Sequence, residues 1–313
     1  MKIFYHNDMD GIVSARIILN HLRTQKIPFK NEDFIEMDYN KEFPLGIIEK
    51  GEQVFIVDYS ISPEQMYDLL IQTCRVVWID HHKSAIEKYK DFVTPMEESK
   101  PGWEIPGLRA DGIAGCVLTW WYIYGRQADT EEFVKDYPKN PKCRFRQEVP
   151  EYIKLAGDWD VWDHLYGLKT KSYTVCFNAR IKSPLDDLFF DKLKTREDVD
   201  KFCEAGCQMI EYRNGWAETF MKRYGFETEI DGFRAFVANL GNANSEFFGE
   251  LINSYDLIGT FCYNGKQWTV SLYSNKDYVD CSTICSKRGG GGHKGAAGFI
   301  TNELYFKKEK IEC

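Results

Sequence analysis

No stretch of this chain approaches the roughly 18 consecutive apolar residues of a membrane helix. Its opening, MKIFYHNDMDG, has no long apolar run either, so neither a membrane span nor a signal peptide is expected. Cysteine is sparse, with ten in 313 residues, far below the density of a disulfide scaffold. Cys203 with Cys207 and Cys281 with Cys285 are four apart and form no CxxC pair. No dense histidine cluster accompanies them, so they read as small apolar residues on helix faces, not zinc or redox pairs. A reducing cytoplasm fits that usage. An excess of positive charge is also missing, for the formal net charge is -8. Residues 1–165 hold 28 acidic and 20 basic side chains, whereas residues 166–313 hold 20 of each. The whole negative excess therefore sits in the first half. That balance excludes coating duplex DNA or an anionic membrane through bulk electrostatics. A small anionic substrate stays open, because carboxylates also serve to hold cations.

What is present is enough for a real core: 43% hydrophobic and 15% aromatic residues. The length suggests about two domains. MKIFYH, FIEMD, EQVFIVDYS and RVVWID read as strands, with GIVSARIILNHLRTQ and SPEQMYDLLIQ as helices between them. Ser62 is the expected cap of the second helix, with Pro63 at its first position. Apolar strands alternating with helices predict a largely parallel sheet covered on both faces. DGIAGCVLTWWYIYG is a further helix, residues 126–150 a surface excursion, and VPEYIKLAGDWDVWDH a helix that breaks near Gly157. The expected division is a first α/β domain over 1–165, a connector over 166–201 and a smaller α/β domain over 202–313. The last begins with a long amphipathic helix that ends at Gly225. It contains a hairpin turning at Asn264–Gly265 and a helix at VDCSTICSKR before GGGGHKGAAGFI.

The chemistry gathers at the strand ends. His6, Asp8 and Asp10 follow the first strand, Asp58 ends the third, and Asp80, His81 and His82 end the fourth. Ligands in open parallel sheets bind at that edge. Clustered carboxylates repel one another unless a cation joins them. Mixed with imidazole, they suit a first-row ion such as Mn²⁺ better than Ca²⁺. Asp8 and Asp10 also qualify as helix caps, and Asp158 beside Asp160 also reads as a turn.

HNDMDG, VDYS, DHH and GDWD, in this order, together with GGGGHKGAAGF near the end, resemble the DHH family of phosphoesterases with its associated C-terminal domain. The resemblance spans nearly the whole chain and takes its name from Asp80, His81 and His82. It implies a smaller domain closing over an interdomain cleft. It also implies two divalent ions, manganese first and magnesium or cobalt as alternatives, bridged by Asp58. One ion falls to His6, Asp8 and Asp58, the other to Asp10, Asp58, His81 and Asp158, with Asp160 as the rival of Asp158. His82 faces the substrate phosphate and Asp80 buttresses the two histidines, so Asp58, Asp80 and His82 form the catalytic set. In the glycine-rich tail the resemblance assigns substrate contact to Arg288, Gly291, Gly292 and His293. Lys294 joins them as a flanking positive charge. A water activated between two ions is the expected nucleophile.

Arg109, Arg180, Asn239 and Asn242 are weaker candidates for substrate contact. The expected activity is phosphodiester hydrolysis of short oligonucleotides or of linear or cyclic dinucleotides. A phosphomonoesterase or phosphoanhydride hydrolase is the alternative, acting on a nucleoside bisphosphate, polyphosphate or pyrophosphate. A nucleotide-binding regulator without catalysis is a third. The expected partner is thus a short nucleic acid or small phosphorylated nucleotide, with no long duplex, no membrane, and a homodimer left open. The chain is too short for the full multi-domain RecJ exonuclease, and family II pyrophosphatases lack the GGGH motif.

Overall fold

In the computed structural model, which describes residues 1–97, 100–136 and 149–304, the apolar runs KIFYH, FIEM, VFIV and VVWI become four strands. They are β1 (Lys2–His6), β2 (Phe34–Met37), β3 (Val54–Val57) and β4 (Val76–Ile79). All pair in parallel, in the order β2-β1-β3-β4. Side chains alternate between faces with period two. Ile3, Tyr5, Val57 and Ile79 therefore enter one apolar cluster, and Phe4, Ile56, Val76 and Trp78 enter another. Ile3 and Phe4 are fully buried, each contributing about 1.5–3 kcal/mol relative to exposure.

Helix α1 (Met9–Thr24) covers the first face, with Asp8 accepting from the Gly11 N–H at 2.9 Å as its cap. Helix α2 (Pro63–Gln72) lies on the second. Its Ser62 and Gln65 form a reciprocal capping box behind Pro63. Then come α3 (Lys83–Glu87), α4 (Gly115–Tyr124), α5 (Gln127–Asp136) and α6 (Glu151–Asp160). The expected surface excursion at 126–150 contains α5, whose Phe133 is buried and stacked on Trp121 at 4.6 Å; residues 137–148 of that stretch lie outside the described residues. Helix α6 does not break at Gly157. A Cβ there would sit 2.8 Å from a Val117 methyl carbon, so this glycine lets α6 press against α4.

The chain divides into Met1–Met209 and Ile210–Cys313, a boundary later than the expected 165 and 202. The reason is α7 (Leu168–Arg180), whose Tyr173, Cys176 and Phe177 are buried in the same cluster as Ile3. Residues 166–201 therefore belong to the first unit's core and are not a connector. Helices α8 (Asp187–Phe190) and α9 (Arg196–Tyr224) follow, the division falling within α9.

The second unit is built on β5 (Gly225–Ile230), β6 (Phe233–Asn239), β7 (Leu257–Tyr263), β8 (Trp268–Tyr273), β9 (Gly291–His293) and β10 (Ala296–Thr301). Their order is β5-β6-β7-β8-β10-β9, antiparallel except for β6 with β7. The hairpin between β7 and β8 turns at Asn264–Gly265 as expected, with Gly265 at φ 93°. Between β6 and β7 lies the short α10 (Leu251–Ser254), and between β8 and β9 lies α11 (Cys281–Ser286). Ile284 and Cys285 of α11 pack with Val237, Phe261, Val270, Leu272 and Phe299 on one face of the sheet. Among the described residues all eight cysteines are free. No helix among them is long and apolar enough to cross a membrane.

Candidate metal centre

Three loops leave the carboxyl edge of the parallel sheet, after β1, β3 and β4, and α6 brings a fourth segment to the same place. His6 ends β1 and its Nδ1 lies 2.7 Å from Asp8 Oδ2. Asp8 thus uses one oxygen as the cap of α1 and the other against His6. Asp10, on the first turn of α1, accepts the Gly115 and Cys116 N–H groups at 2.6 and 2.8 Å. Those bonds tie the start of α1 to the start of α4 and fix the carboxylate.

Asp58 is the centre of the arrangement. It is fully buried, and its backbone sits at φ 52°, a conformation that costs of order 1 kcal/mol outside glycine. Gly115 makes room for it, because a Cβ there would lie 2.7 Å from Asp58 Oδ1. Neither Asp58 oxygen has a hydrogen-bond partner among the described residues. His81 Nε2 lies 3.2 Å from Oδ1, and His6 Nδ1 lies 4.0 Å from Oδ2. Burial and the neighbouring charges of Asp10 and Asp8 push the Asp58 carboxyl well above the usual carboxylate range.

His81 Nε2 is also 3.3 Å from Asp160 Oδ2 and 3.8 Å from Asp10 Oδ2. Asp160 is pushed up to about 9, first by burial and then by Asp10 and Asp8. Its Oδ2 is buried without a hydrogen-bond partner among the described residues. The preference for Asp158 over Asp160 is therefore corrected. Asp158 turns away and accepts from the Leu165 N–H at 2.8 Å, the Tyr166 N–H at 3.3 Å and the Thr170 hydroxyl. It organises the turn between α6 and α7 and is absent from the cluster.

His82 and Asp80 form a separate arm. Asp80 is fully buried, and its Oδ1 meets His82 Nδ1 at 2.7 Å and the His81 N–H at 2.8 Å. Its Oδ2 accepts from the Ser60 hydroxyl, which in turn takes the Trp78 indole N–H at 3.1 Å. The hydrogen bond to Asp80 raises His82 above the ordinary histidine range. Burial works to raise Asp80, yet the bond to His82 and its charge hold that carboxyl below its usual value.

Tyr39 and Trp78 are parts of this region that the motifs leave out, and Ser60 closes the VDYS motif without having been given a part. Tyr39 follows β2 at the same sheet edge. Its ring is 5.5 Å from that of His6 and 6.0 Å from that of His82, and it is 53% exposed. The signal for it was only its place in MDYN after an apolar strand. Arg109 instead donates to the Trp78 and Ile105 carbonyls, and Arg180 lies over Phe202.

The donor set fits divalent ions. His6, Asp8 and Asp58 offer ligand atoms within 4.8 Å of one another, as do Asp10, His81 and Asp160, and Asp58, His81 and His82. Carboxylates buried at this density, two of them with unpartnered oxygens, are costly without a cation. Carboxylate with imidazole is the ligand chemistry of Mn²⁺ and its neighbours.

In the second unit the tail glycines form β9 against β10, with Gly292 opposite Ala297 and Gly291 opposite Gly298. His293 and Lys294 are exposed. Arg288 is engaged elsewhere: its guanidinium pairs with Asp231 at 2.5 Å and lies over Phe299. Its charge is offset within the unit, which weakens its expected part as a substrate contact.

Residues 1–138 match the family model described as DHH family, N-terminal domain. An uncharacterized protein of Acanthamoeba polyphaga mimivirus is 21% identical over 314 residues. That alignment covers 95% of this chain and 66% of the viral protein, a little under two thirds of its length. The oligoribonuclease NrnB of Bacillus subtilis strain 168 is 23% identical over 332 residues, covering 97% of this chain and 73% of the relative. Among solved structures, the DHH domain of a member of the s1p family of ribosomal proteins is similar with a TM-score of 0.51 and 15% identity. The match covers 96% of this chain and 82% of that one, a likeness of fold.

Proposed function

We propose that this chain, whose residues 1–138 match the DHH family, N-terminal domain model, is a metal-dependent phosphodiesterase acting on short oligonucleotides or dinucleotides. The observation that carries the reading is the buried Asp58 carboxylate. It has no hydrogen-bond partner among the described residues, yet shares ligand groups with both His6–Asp8 and His81.

His6, Asp8 and Asp58 would hold one ion. Asp10, Asp58, His81 and Asp160 would hold the other, with Asp160 taking the part first expected of Asp158. Manganese is the expected ion, and such ions acidify water and neutralise charge on phosphoryl oxygens. The chain's own residues do the rest. Asp80 fixes His82 through Nδ1 and favours its protonated form, in which Nε2 can donate to a phosphoryl oxygen. Ser60 and Trp78 hold Asp80 in turn, and such supporting bonds orient the groups they reach. The four carboxylates Asp8, Asp10, Asp58 and Asp160 balance two divalent cations, so the cluster carries no net repulsion for a phosphate. The negative excess of the first half still disfavours tracking along a long polyanion, and the similarity to an oligoribonuclease supports a short substrate. The free thiols suit a cytoplasmic setting.

A hydrolysis panel with Mn²⁺ tests this: linear and cyclic dinucleotides, RNA and DNA of several lengths, a nucleoside bisphosphate, pyrophosphate and polyphosphate. Cleavage of dinucleotides or short oligomers, lost in Asp58→Asn, is expected. Turnover confined to phosphomonoesters or phosphoanhydrides would replace this reading with the alternative one. No turnover of any of them would overturn it.

A further inference from the structure

Asp160 is the last residue of α6 and shares a ligand group with Asp10 and His81. The four residues that follow it, VWDH, form a turn under constraint. Trp162 and His164 both have left-handed backbone, at φ 57° and 49°, a conformation rare for bulky side chains. Asp158 holds them in it. Its carbonyl accepts from the Asp163 and His164 N–H groups at 3.2 and 3.4 Å, and its carboxylate accepts from the next two, of Leu165 and Tyr166. Four successive N–H groups therefore converge on one residue and fix the turn.

This turn displays aromatic surface. The Trp159 and Trp162 rings stack at 5.8 Å with 27° between their planes, and His164 stands edge-on to both, at 5.3 and 5.4 Å. Trp162 is still 74% exposed. An indole left in water forgoes the energy of burial, and the left-handed backbone beneath it is strained. Such costs persist where a site uses the feature. The Trp162 Cα is two residues, at most about 7.6 Å, from that of Asp160, so the indole is rooted beside that ligand group. Tyr39 gives the other group an exposed ring of its own, 5.5 Å from that of His6. Each group thus has aromatic surface next to it, and a phosphodiester carries an organic group on each of its two ester oxygens.

A water-exposed indole held from behind suits a flat group with a π-face, which every nucleobase has and an aliphatic ester lacks. We propose that Trp162, backed by Trp159 and His164, is the stacking platform for a nucleobase of the substrate on the Asp160 side of the metal centre. The proposal rests on the phosphodiesterase reading for its class of substrate. It adds a means of preferring nucleotide esters that lies wholly in the first unit, Met1–Met209.

Calorimetric titration of the full chain with Mn²⁺ tests it. The ligand is the phosphinate analogue of the dinucleotide ApA, in which methylene groups replace both bridging oxygens so that nothing is cleaved. Its doubly abasic counterpart is the control. The analogue with bases is expected to bind about tenfold or more tighter than the control, the gain that base stacking supplies. Trp162→Ala should cut that preference about fivefold or more at an unchanged metal-free melting temperature. Affinity for the control should stay within about twofold, as for independent groups. Trp162→Phe, which keeps a ring, should retain most of the preference, whereas Trp162→Leu, which keeps apolar bulk without a π-face, should not. That pair serves if the alanine variant does not fold. Equal binding of the two analogues, or a preference that survives Trp162→Ala or Trp162→Leu, overturns the proposal. Hydrolysis of ApA itself is measured in parallel. Its failure counts against the phosphodiesterase reading and leaves the base preference to be judged by itself.

Discussion

In the first unit, Asp8, Asp10, Asp58 and Asp160 crowd around His6 and His81, and buried oxygens of Asp58 and Asp160 have no hydrogen-bond partner among the described residues. In the second unit the sheet face shared with the glycine strand carries Thr260, Ser271, Ile258 and Tyr273, and Arg288, over Phe299 on the opposite face, is tied to Asp231. The contrast separates two ways of meeting a phosphate ester. One region concentrates charge that only an external cation relieves, and so is suited to the reacting centre. The other shows no comparable cluster of buried carboxylates among the described residues.

The sharpest way to break that contrast is at Asp58. Asp58→Asn removes the carboxylate proposed to serve both ion sites, and hydrolysis is expected to fall on the order of 10³-fold or more, since metal charge stabilisation is worth several kcal/mol. The rise in melting temperature on adding Mn²⁺ should disappear with it. Because burial and its neighbours already oppose ionisation of Asp58, the fold should tolerate the change. Unchanged turnover would remove Asp58 from the centre.

The next comparison is between two aspartates on one helix. Asp160→Asn should cost activity and Mn²⁺ stabilisation at a steady metal-free melting temperature. Asp158→Asn should do the reverse, lowering stability by about 1–3 kcal/mol through the Leu165, Tyr166 and Thr170 donors it leaves poorly satisfied, with Mn²⁺ stabilisation retained. Denaturant unfolding and thermal shift read the two effects separately. The opposite pattern would restore Asp158 to the ligand set.

Smaller again is the loss of a supporting bond. Asp80→Asn weakens the hold on His82 and should reduce turnover by about 10–100-fold, chiefly in kcat. A normal rate would show that His82 needs no such hold.

The smallest effect concerns a carboxylate that the protein satisfies by itself. Arg23 and Arg16 hold Asp187 down to about 2. A carboxyl depressed in the folded state stabilises above its unfolded value, near 4, and loses that contribution as pH falls toward 2. Asp187 and Arg23 are exposed to solvent while Arg16 is buried, so screening limits the Arg23 contact to below about 1 kcal/mol. Asp187→Asn should therefore flatten the acid side of the stability profile slightly and leave Mn²⁺ binding alone.

Much of this organisation is legible in the string of residues. Four apolar runs bounded by polar residues mark the parallel strands. Ser62-Pro63 marks a helix start through its chemistry, and Asn264–Gly265 marks a turn through its backbone freedom. HNDMDG, VDYS and DHH place their carboxylates and imidazoles at the ends of those strands, where the edge of a parallel sheet brings them together. Less legible were features that depend on neighbours distant in sequence. Gly157 looks like a helix breaker until Val117 is seen against it. Residues 166–201 look like a connector until Tyr173 and Phe177 are seen in the core. Tyr39 has no motif at all.

The alternation of strand and helix and the residue types at the strand ends determined the fold class and the kind of site, because both depend on periodicity and on chemistry that each residue carries with it. The choice between Asp158 and Asp160 belonged to the tertiary structure. At 3.6 residues per turn, positions two apart point to nearly opposite sides of a helix, so only one of the two carboxylates can reach the cluster. Which one depends on how α6 is rotated, and that is set by its packing against α4 through Gly157. The same holds for the second unit's sheet face, since Thr260 and Ser271 become neighbours of Gly298 and Gly291 only through the order in which β7, β8, β10 and β9 pair.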